Sequence, residues 1–165
     1  MAPQWPPAAT TDRGRFYLSG HFFEGSYYRR QPGANDPRVA WIFEGVEDEI
    51  LGDFGLSGGG AAGFELDRAD RCLGTPPHAL ILATSEAYKP ENFVLVHEEM
   101  LTQYNTWPGL PADELIRADM VYFETPNGGA VFSVGSITFC GSLAHHHYDN
   151  NISSIVNNVL TRFRE

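Results

Sequence analysis

The residues most able to do chemistry lie in and after a glycine-rich run, GDFGLSGGGAAGFELDRAD, at residues 52–70. Its glycines allow the backbone to pass close to a ligand or a neighbouring segment, and they bring Glu65 and Asp67 next to Arg68. A carboxylate in such a place can move protons or orient a metal ligand. On spacing alone, however, we favour a structural loop with a surface Asp67–Arg68 pair, because charged loop residues are usually only solvated.

Two short motifs inside this run match known signatures in their letters only. Residues 58–63 spell GGGAAG, a literal GxGxxG, but the sequence predicts neither a strand before it nor a helix after it. Residues 53–55 spell DFG, yet no HRD-like loop or VAIK-like strand accompanies them. We therefore predict neither a dinucleotide-binding site nor a protein kinase.

Cysteine, histidine and tyrosine residues form further candidate sites. Cys140 precedes three consecutive histidines at 145–147, which rarely converge on one metal, so we favour a solvated loop there. Cys140 also lacks the Gly-x-Cys-x-Gly turn of a nucleophile elbow, and no catalytic thiol is predicted. The segment 27–30 (YYRR) could stack or bind an anion, although packing against the first strand is the simpler interpretation. These patterns predict no metal-binding or cofactor-binding residue.

A strand, a turn, a second strand and a helix form the framework after these residues. Residues 120–123 are apolar and aromatic, 126–129 (PNGG) supply the turn, and 130–137 form the second strand. A helix follows, and Asn150 or Asn151 can cap its start. Its apolar positions recur at three- and four-residue spacing and are Ile152, Ile155, Val156, Val159, Leu160 and Phe163. We expect this helix to cover one face of the sheet.

Further elements are predicted from apolar runs earlier in the chain. Strands are expected at residues 38–43 (RVAWIF), 78–84 (HALILAT) and 92–96, with a short helix or its frayed end at 98–103. About five strands and one clear helix are too few helices for a doubly wound domain. The pattern fits either a mixed sheet with long loops or the C-terminal part of a larger α/β domain.

Length, composition and charge limit the class of protein. The 165 residues allow one domain, which we place at 15–165 after a flexible Pro-, Ala- and Thr-rich arm at 1–14. The net charge of −10 argues against nucleic acid or an anionic membrane as a partner. Two distant cysteines, Cys72 and Cys140, argue against a disulfide framework and favour a cytoplasmic location. No signal peptide or membrane-spanning run is predicted.

Five distinctive phrases lie between residues 23 and 163 and together cover most of the chain. They are FEGSYYRR, DPRVAWIFEGVEDEILGDFGLSGGGAAGFELDRAD, LGTPPHALILATSE, IRADMVYFETPNGGAVFSVGSITFCGSL and DNNISSIVNNVLTRF. Together they resemble the C-terminal region of the large (beta) subunit of N,N-dimethylformamidase. That resemblance implies hydrolysis of a small amide to amine and formate. It also implies an α/β fold of the three-layer, class I glutamine amidotransferase-like (flavodoxin) type, of which this chain would form the C-terminal part.

The resemblance also implies an iron cofactor whose ligands are not in this chain. In the family, two tyrosines and a glutamate hold a single iron with a histidine beside it, and those residues belong to sequence upstream of the matching region. Tyr27 and Tyr28 are not those tyrosines. The family needs a further glutamate near the metal, and the FELDR phrase makes Glu65 the candidate. The resemblance therefore reverses the interpretation of the loop and predicts Glu65 as a catalytic residue, an orienting group or general acid/base.

The expected partners follow from the same resemblance. They are the upstream part of the large subunit, a small subunit and a small amide substrate, in an oligomer without nucleic acid or membrane. Because the iron ligands lie elsewhere, we expect the isolated chain to be inactive. The alternative is a non-catalytic, glutamine amidotransferase-like module used for assembly or small-ligand binding.

Overall fold

The computed structural model of the chain describes residues 13–16, 25–71, 74–88, 93–97, 100–103 and 116–165, with side chains for 25–71, 74–88 and 116–165. The strands in these ranges are β1 (Arg13–Phe16), β2 (Tyr28–Arg30), β3 (Ile50–Leu51), β4 (Leu66–Asp67), β5 (Leu80–Ser85), β6 (Phe93–His97), β7 (Met100–Gln103), β8 (Asp119–Glu124) and β9 (Ala130–Ser133). Within the same ranges, the α-helices are α1 (Thr138–Ser142) and α2 (Asn151–Phe163). Short 3-10 helices occupy Pro32–Asn35, Pro37–Phe43 and His145–Tyr148.

The strands form two sheets. One has the order β4-β1-β6-β7 and the other the order β3-β2-β5-β8-β9. Every pairing among the described strands is antiparallel. The predicted α/β class is confirmed at this coarse level. The glutamine amidotransferase-like arrangement is not confirmed, because flavodoxin-type sheets are built from parallel strands with crossover helices.

The predicted hairpin is present as β8 and β9, with Val121 opposite Ser133 and Glu124 opposite Ala130. Its turn is closed by a hydrogen bond from the Thr125 amide to the Gly129 carbonyl at 2.7 Å. The second strand is shorter than predicted, since it ends at Ser133 and not at residue 137. The chain leaves the sheet through a bend at 134–136, where Gly135 has a φ of +67° that a residue with a side chain rarely adopts.

Helix α2 begins where the sequence predicts, because the Asn150 side chain accepts a hydrogen bond from the Ser153 amide at 2.9 Å. The buried side chains of the helix are Ile152, Ile155 and Val159. Of the other predicted apolar positions, Leu160 and Phe163 are 59% and 47% exposed. The apolar stripe that faces the core is therefore narrower than predicted.

Two predicted elements are wrong. Residues 38–43 form part of a 3-10 helix and not a strand, because Pro37 fixes its first φ and the Asp36 side chain accepts from the Arg38 amide at 2.9 Å. Residues 100–103 form strand β7, paired with β6, and not a helix. Of the predicted arm at 1–14, only Arg13 and Gly14 are described, and they begin β1. The boundary at residue 15 stays a prediction.

One hydrophobic core joins the five-stranded sheet to α2 and the 3-10 helix Pro37–Phe43. Its fully buried large side chains include Tyr28, Ile42, Leu82, Met120 and Ile152. The Asn158 side chain fixes the helix to this 3-10 helix by donating to the Ile42 carbonyl at 3.1 Å. Among the helices of the described ranges, none combines the length and apolar character needed to cross a membrane.

The packing of α2 predicts the effect of a buried charge. Val159 is 6% exposed, so Val159→Asp would place a carboxylate in the core and should cost about 3 kcal/mol or more of the free energy of unfolding. Val156→Asp, at a half-buried site, should cost less, and Asn157→Asp, at an exposed site of the same helix, should leave stability nearly unchanged. Urea unfolding measures all three; equal midpoints would show that α2 does not pack as described.

Candidate functional site

The glycine-rich run forms a loop that lies against the N-terminal segment of the main sheet. The Gly25 amide donates to the Gly58 carbonyl at 2.8 Å, and the Ala62 amide donates to the Ser26 carbonyl at 2.9 Å. Gly60 lies so close that a Cβ there would collide with the Ser26 carbonyl. The glycines therefore permit the close backbone approach that the sequence predicts, and the neighbour is another segment of this chain.

Glu65 lies at the end of this loop, immediately before β4. Its φ is +49°, in the left-handed region that few residues other than glycine adopt. Its side chain is half-buried. Such a conformation costs of order 1–3 kcal/mol and persists only where the surrounding structure enforces it. The conformation of Glu65 must therefore be enforced by the contacts of the residues on either side of it.

On the N-terminal side, the bend at 134–136 holds the loop through Ser136. The Ser136 hydroxyl accepts from the Gly63 amide at 3.0 Å and donates to the Phe64 carbonyl at 3.1 Å. The Thr138 hydroxyl lies 3.1 Å from the Ser136 hydroxyl. Below the bend, the hydroxyl of the fully buried Tyr28 donates to the Val134 carbonyl at 2.7 Å.

On the C-terminal side, Gly135 and Asp119 hold the segment that follows Glu65. The Asp67 amide donates to the Gly135 carbonyl at 2.8 Å. The side chain of Asp119 is fully buried. Its carboxylate accepts hydrogen bonds from the Ala69 amide at 2.7 Å and from the Thr84 hydroxyl at 2.8 Å. A Cβ at Gly135 would collide with the Asp67 carbonyl, so the bend and β4 are in direct contact.

Arg117 completes the C-terminal support. Its guanidinium forms an ion pair with Asp119 at 3.1 Å and donates to the Ala69 carbonyl at 3.1 Å. Asp119 thus binds the amide of Ala69 and Arg117 binds its carbonyl. Together they fix the path of the chain after β4. Because these donors are charged or buried, their hydrogen bonds are worth more than exposed ones.

The buried Tyr28 and the partly buried Tyr88 lie close to the Asp119 carboxylate. Burial raises the pKa of Tyr28 well above its ordinary value, and the nearby Tyr88 and Asp119 raise it further. Burial also raises the pKa of Tyr88, with a smaller contribution from the Asp119 charge. Both hydroxyls therefore stay protonated at neutral pH, and the Tyr28 hydroxyl donates to the Val134 carbonyl.

An apolar cavity of about 360 Å³ lies beside the loop on the outer surface. It is lined by Leu56, Ser57, Gly58, Phe64, Ile137 and Thr138. Leu56 is 86% exposed and Ile137 57%, so these apolar side chains face solvent. Glu65 directly follows one lining residue, Phe64. This part of the molecule therefore brings a half-buried carboxylate close in sequence to a surface that suits small alkyl groups.

The other predicted candidates lie elsewhere or act structurally. Arg68 is buried and pairs with Asp70 at 3.3 Å, so the arginine of the expected surface pair does not lie on the surface. Cys140 is a free, exposed thiol on α1. Tyr28 is a fully buried core residue of β2, but the first strand against which the segment 27–30 is predicted to pack is a 3-10 helix. The half-exposed side chain of Arg29, on β2, pairs with Glu86 at 2.7 Å.

The three histidines form part of a surface turn. His145 stacks on Phe54 with ring centroids 4.3 Å apart, and His146 stacks on His145 at 4.1 Å. His146, His147 and Tyr148 all have positive φ. Across the side chains that the structure describes, no three His, Cys, Asp or Glu residues are grouped where they could hold a metal ion.

Ser136 and Asp119 are the site residues that sequence analysis missed. Each contacts a residue 50 or more positions away, and such pairs leave no local pattern. A charged residue at the start of a buried strand needs hydrogen-bonding partners. The sequence therefore indicates that Asp119 has such partners, but it does not identify them. For Ser136, the Gly135-Ser136 pair indicated a close backbone approach, although not its target.

Comparison with known proteins identifies relatives for most of the chain. Residues 4–150 match the family described as N,N-dimethylformamidase beta subunit-like, C-terminal. A Paracoccus aminophilus protein described as N,N-dimethylformamidase beta subunit is 44% identical over 145 residues, covering 86% of this chain and 18% of that protein. An Alcaligenes protein of the same description is 43% identical over 145 residues, with the same coverage. The chain thus spans about a fifth of the length of these relatives.

Proposed function

Because this chain belongs to the N,N-dimethylformamidase beta subunit-like C-terminal family, we propose that it is the C-terminal domain of an amide hydrolase acting on N,N-dimethylformamide or a similar small amide. The family and the names of both relatives support a hydrolase of this kind. Since the chain covers only about a fifth of those proteins, the reaction belongs to a larger assembly in which this domain takes part.

The observation that carries the proposal for this domain is the conformation of Glu65. A half-buried carboxylate is held at positive φ by contacts on both sides, next in sequence to the lining of an apolar surface cavity. Strained residues of this kind concentrate at functional sites. We assign Glu65 the role of general acid/base: its carboxylate takes a proton from the attacking water and returns it to the amine nitrogen as the carbon–nitrogen bond breaks.

The iron of the family belongs to the proposal in a limited way. The described residues of this chain contain no group of three His, Cys, Asp or Glu residues that could hold a metal ion, and we propose that the rest of the larger protein supplies the ligands. When bound, an iron would act as a Lewis acid on the amide carbonyl. The contribution of this domain is then to present Glu65 and the apolar surface formed by Leu56, Phe64 and Ile137 to the substrate.

We propose that the domain acts as part of an assembly in the cytoplasm. Both relatives are described as beta subunits, a term that implies at least one other kind of subunit in those proteins. The acidic charge gives no basis for nucleic acid as a partner. A class I glutamine amidotransferase-like fold remains our proposal for the larger protein, whose additional strands would have to supply the parallel part of the sheet.

A non-catalytic role is the second candidate, because α/β scaffolds of this type are also used for assembly or small-ligand binding. The open cavity beside Phe64 and Ile137 favours it as much as it favours catalysis. The two functions differ in one respect. Catalysis requires the carboxylate of Glu65, whereas a binding module requires only the shape and apolar character of the loop.

We expect amide hydrolysis and iron binding only when this domain is part of the longer protein. The experiment measures bound iron and release of dimethylamine from N,N-dimethylformamide for this chain alone and for the chain joined to the remaining subunit sequence. The chain alone should contain no stoichiometric iron and should release no amine. Iron bound by the isolated chain would contradict the placement of the ligands, and an inactive, iron-loaded longer protein would support the binding module.

A further inference from the structure

The hydroxyl of Ser136 forms two hydrogen bonds with the loop that leads to Glu65. A serine hydroxyl has one proton to donate and two lone pairs that accept. Here the proton goes to the Phe64 carbonyl, one lone pair accepts from the Gly63 amide, and the other faces the Thr138 hydroxyl. Ser136 is 9% exposed, so water cannot easily replace these bonds. One side chain thus binds the 62–63 peptide unit and the 64–65 peptide unit, and the second of these joins Phe64 to Glu65.

The bend that carries Ser136 is itself held rigidly. Tyr28 binds the Val134 carbonyl from the core, and the Asp67 amide binds the Gly135 carbonyl from the other side of Glu65. The Ile137 amide adds a second donor to the Phe64 carbonyl at 3.1 Å. The bend at 134–136 therefore contacts the chain on both sides of Glu65, and Ser136 is its only side chain that reaches the loop among the described contacts.

We propose that Ser136 is a positioning residue that holds Glu65 in its left-handed conformation and so fixes the direction of its carboxylate toward the substrate. This inference rests on the proposed general acid/base role of Glu65. A residue other than glycine whose backbone has a positive φ relaxes to an ordinary conformation when its neighbours no longer enforce that φ. Displacement of a catalytic group by about 1 Å can cost on the order of a hundredfold in rate.

Ser142 offers a matched control for Ser136. It is also a buried serine, and its hydroxyl donates to the Phe54 carbonyl at 2.7 Å, at the opposite end of the same glycine-rich loop. Ser136→Ala and Ser142→Ala therefore remove the same hydroxyl group from two buried sites. Only the first removes a contact next to Glu65. Ser136→Thr keeps the hydroxyl and serves as the conservative variant.

The first measurement uses the complete enzyme and a double-mutant cycle. Ser136→Ala should lower kcat for amide hydrolysis on the order of tenfold to a hundredfold with little change in KM, and Ser136→Thr should recover part of that loss. In the Glu65→Gln background, Ser136→Ala should have no further effect, because it acts through the carboxylate that is already absent. Independent, multiplicative losses, or an equal loss of kcat in Ser142→Ala, would overturn the positioning role.

The second measurement separates this inference from the proposed function. Amide hydrogen exchange of residues 63–66 in the chain itself should become faster on the order of tenfold in Ser136→Ala and stay unchanged in Ser142→Ala. Unchanged exchange in both variants would overturn the inference whatever the activity. If exchange is faster but Glu65→Gln hydrolyses amides normally, Ser136 holds the loop as described, while the catalytic role of Glu65 and with it the positioning role are wrong.

Discussion

Glu65→Gln in the longer protein, for which we propose iron-dependent amide hydrolysis, is expected to lower the rate of that hydrolysis by about two to four powers of ten, the range typical of a lost general acid/base. Glutamine has nearly the same size and keeps the conformation of the loop, but it cannot accept a proton. The thermal midpoint and iron content should therefore equal those of the parent. The measurement is the initial rate of dimethylamine release under saturating N,N-dimethylformamide, together with the iron content of each preparation.

Asp67→Asn provides the control for this substitution. Asp67 is also a half-buried acid close to the loop, but it lies in β4, where its amide donates to the Gly135 carbonyl. Its change should lower the thermal midpoint and leave most of the activity. Equal and mild losses of activity in both variants would remove the functional interpretation of Glu65. They would return the glycine-rich loop to the structural role that its spacing alone suggests.

The second large effect concerns the stability of the domain. Asp119→Ala should cost about 3–5 kcal/mol of the free energy of unfolding, the usual cost of removing one partner of a buried charge pair. The change leaves the Ala69 amide and the Thr84 hydroxyl without their acceptor, and Arg117 without its carboxylate. Urea unfolding of the chain followed by circular dichroism measures the loss.

An exposed ion pair provides the contrast. Glu49 pairs with Arg29 at 2.8 Å, but its side chain is 72% exposed. Water and salt screen such a pair, so Glu49→Gln should not shift the unfolding midpoint measurably. Asp119→Asn, which keeps one acceptor, should fall between the two. If Asp119→Ala unfolds at the same urea concentration as Glu49→Gln, the carboxylate does not anchor the segment after β4.

The sequence indicates the elements whose signals are local. Two aromatic strands around Pro-Asn-Gly-Gly form the hairpin, and the asparagine at 150 caps a helix with apolar spacing. The run RVAWIF forms a 3-10 helix and not the predicted strand, because an apolar stretch without a period suits either structure. The proline and aspartate before it favour the helix. Strand β7 formed because pairing with β6 outweighed its local preference.

The candidate site could be predicted only in part. The glycines indicated a loop that passes close to its neighbour, and the FELDR phrase directed attention to Glu65. The supports of that residue come from Ser136 and Asp119, which are distant in sequence and belong to different elements. Their hydrogen bonds depend on how the two sheets and the bend at 134–136 come together. No local composition records that geometry.

The position of β1 has a consequence for how the chain acquires its structure. This strand, from the beginning of the chain, lies between β4 and β6, so each of its partners arrives much later in sequence. Closing such long loops carries an entropic cost before any hydrogen bond is gained, which slows folding. During synthesis, residues 13–16 must wait until residues 93–97 have left the ribosome. The four-stranded sheet can therefore be completed only after most of the chain has been made.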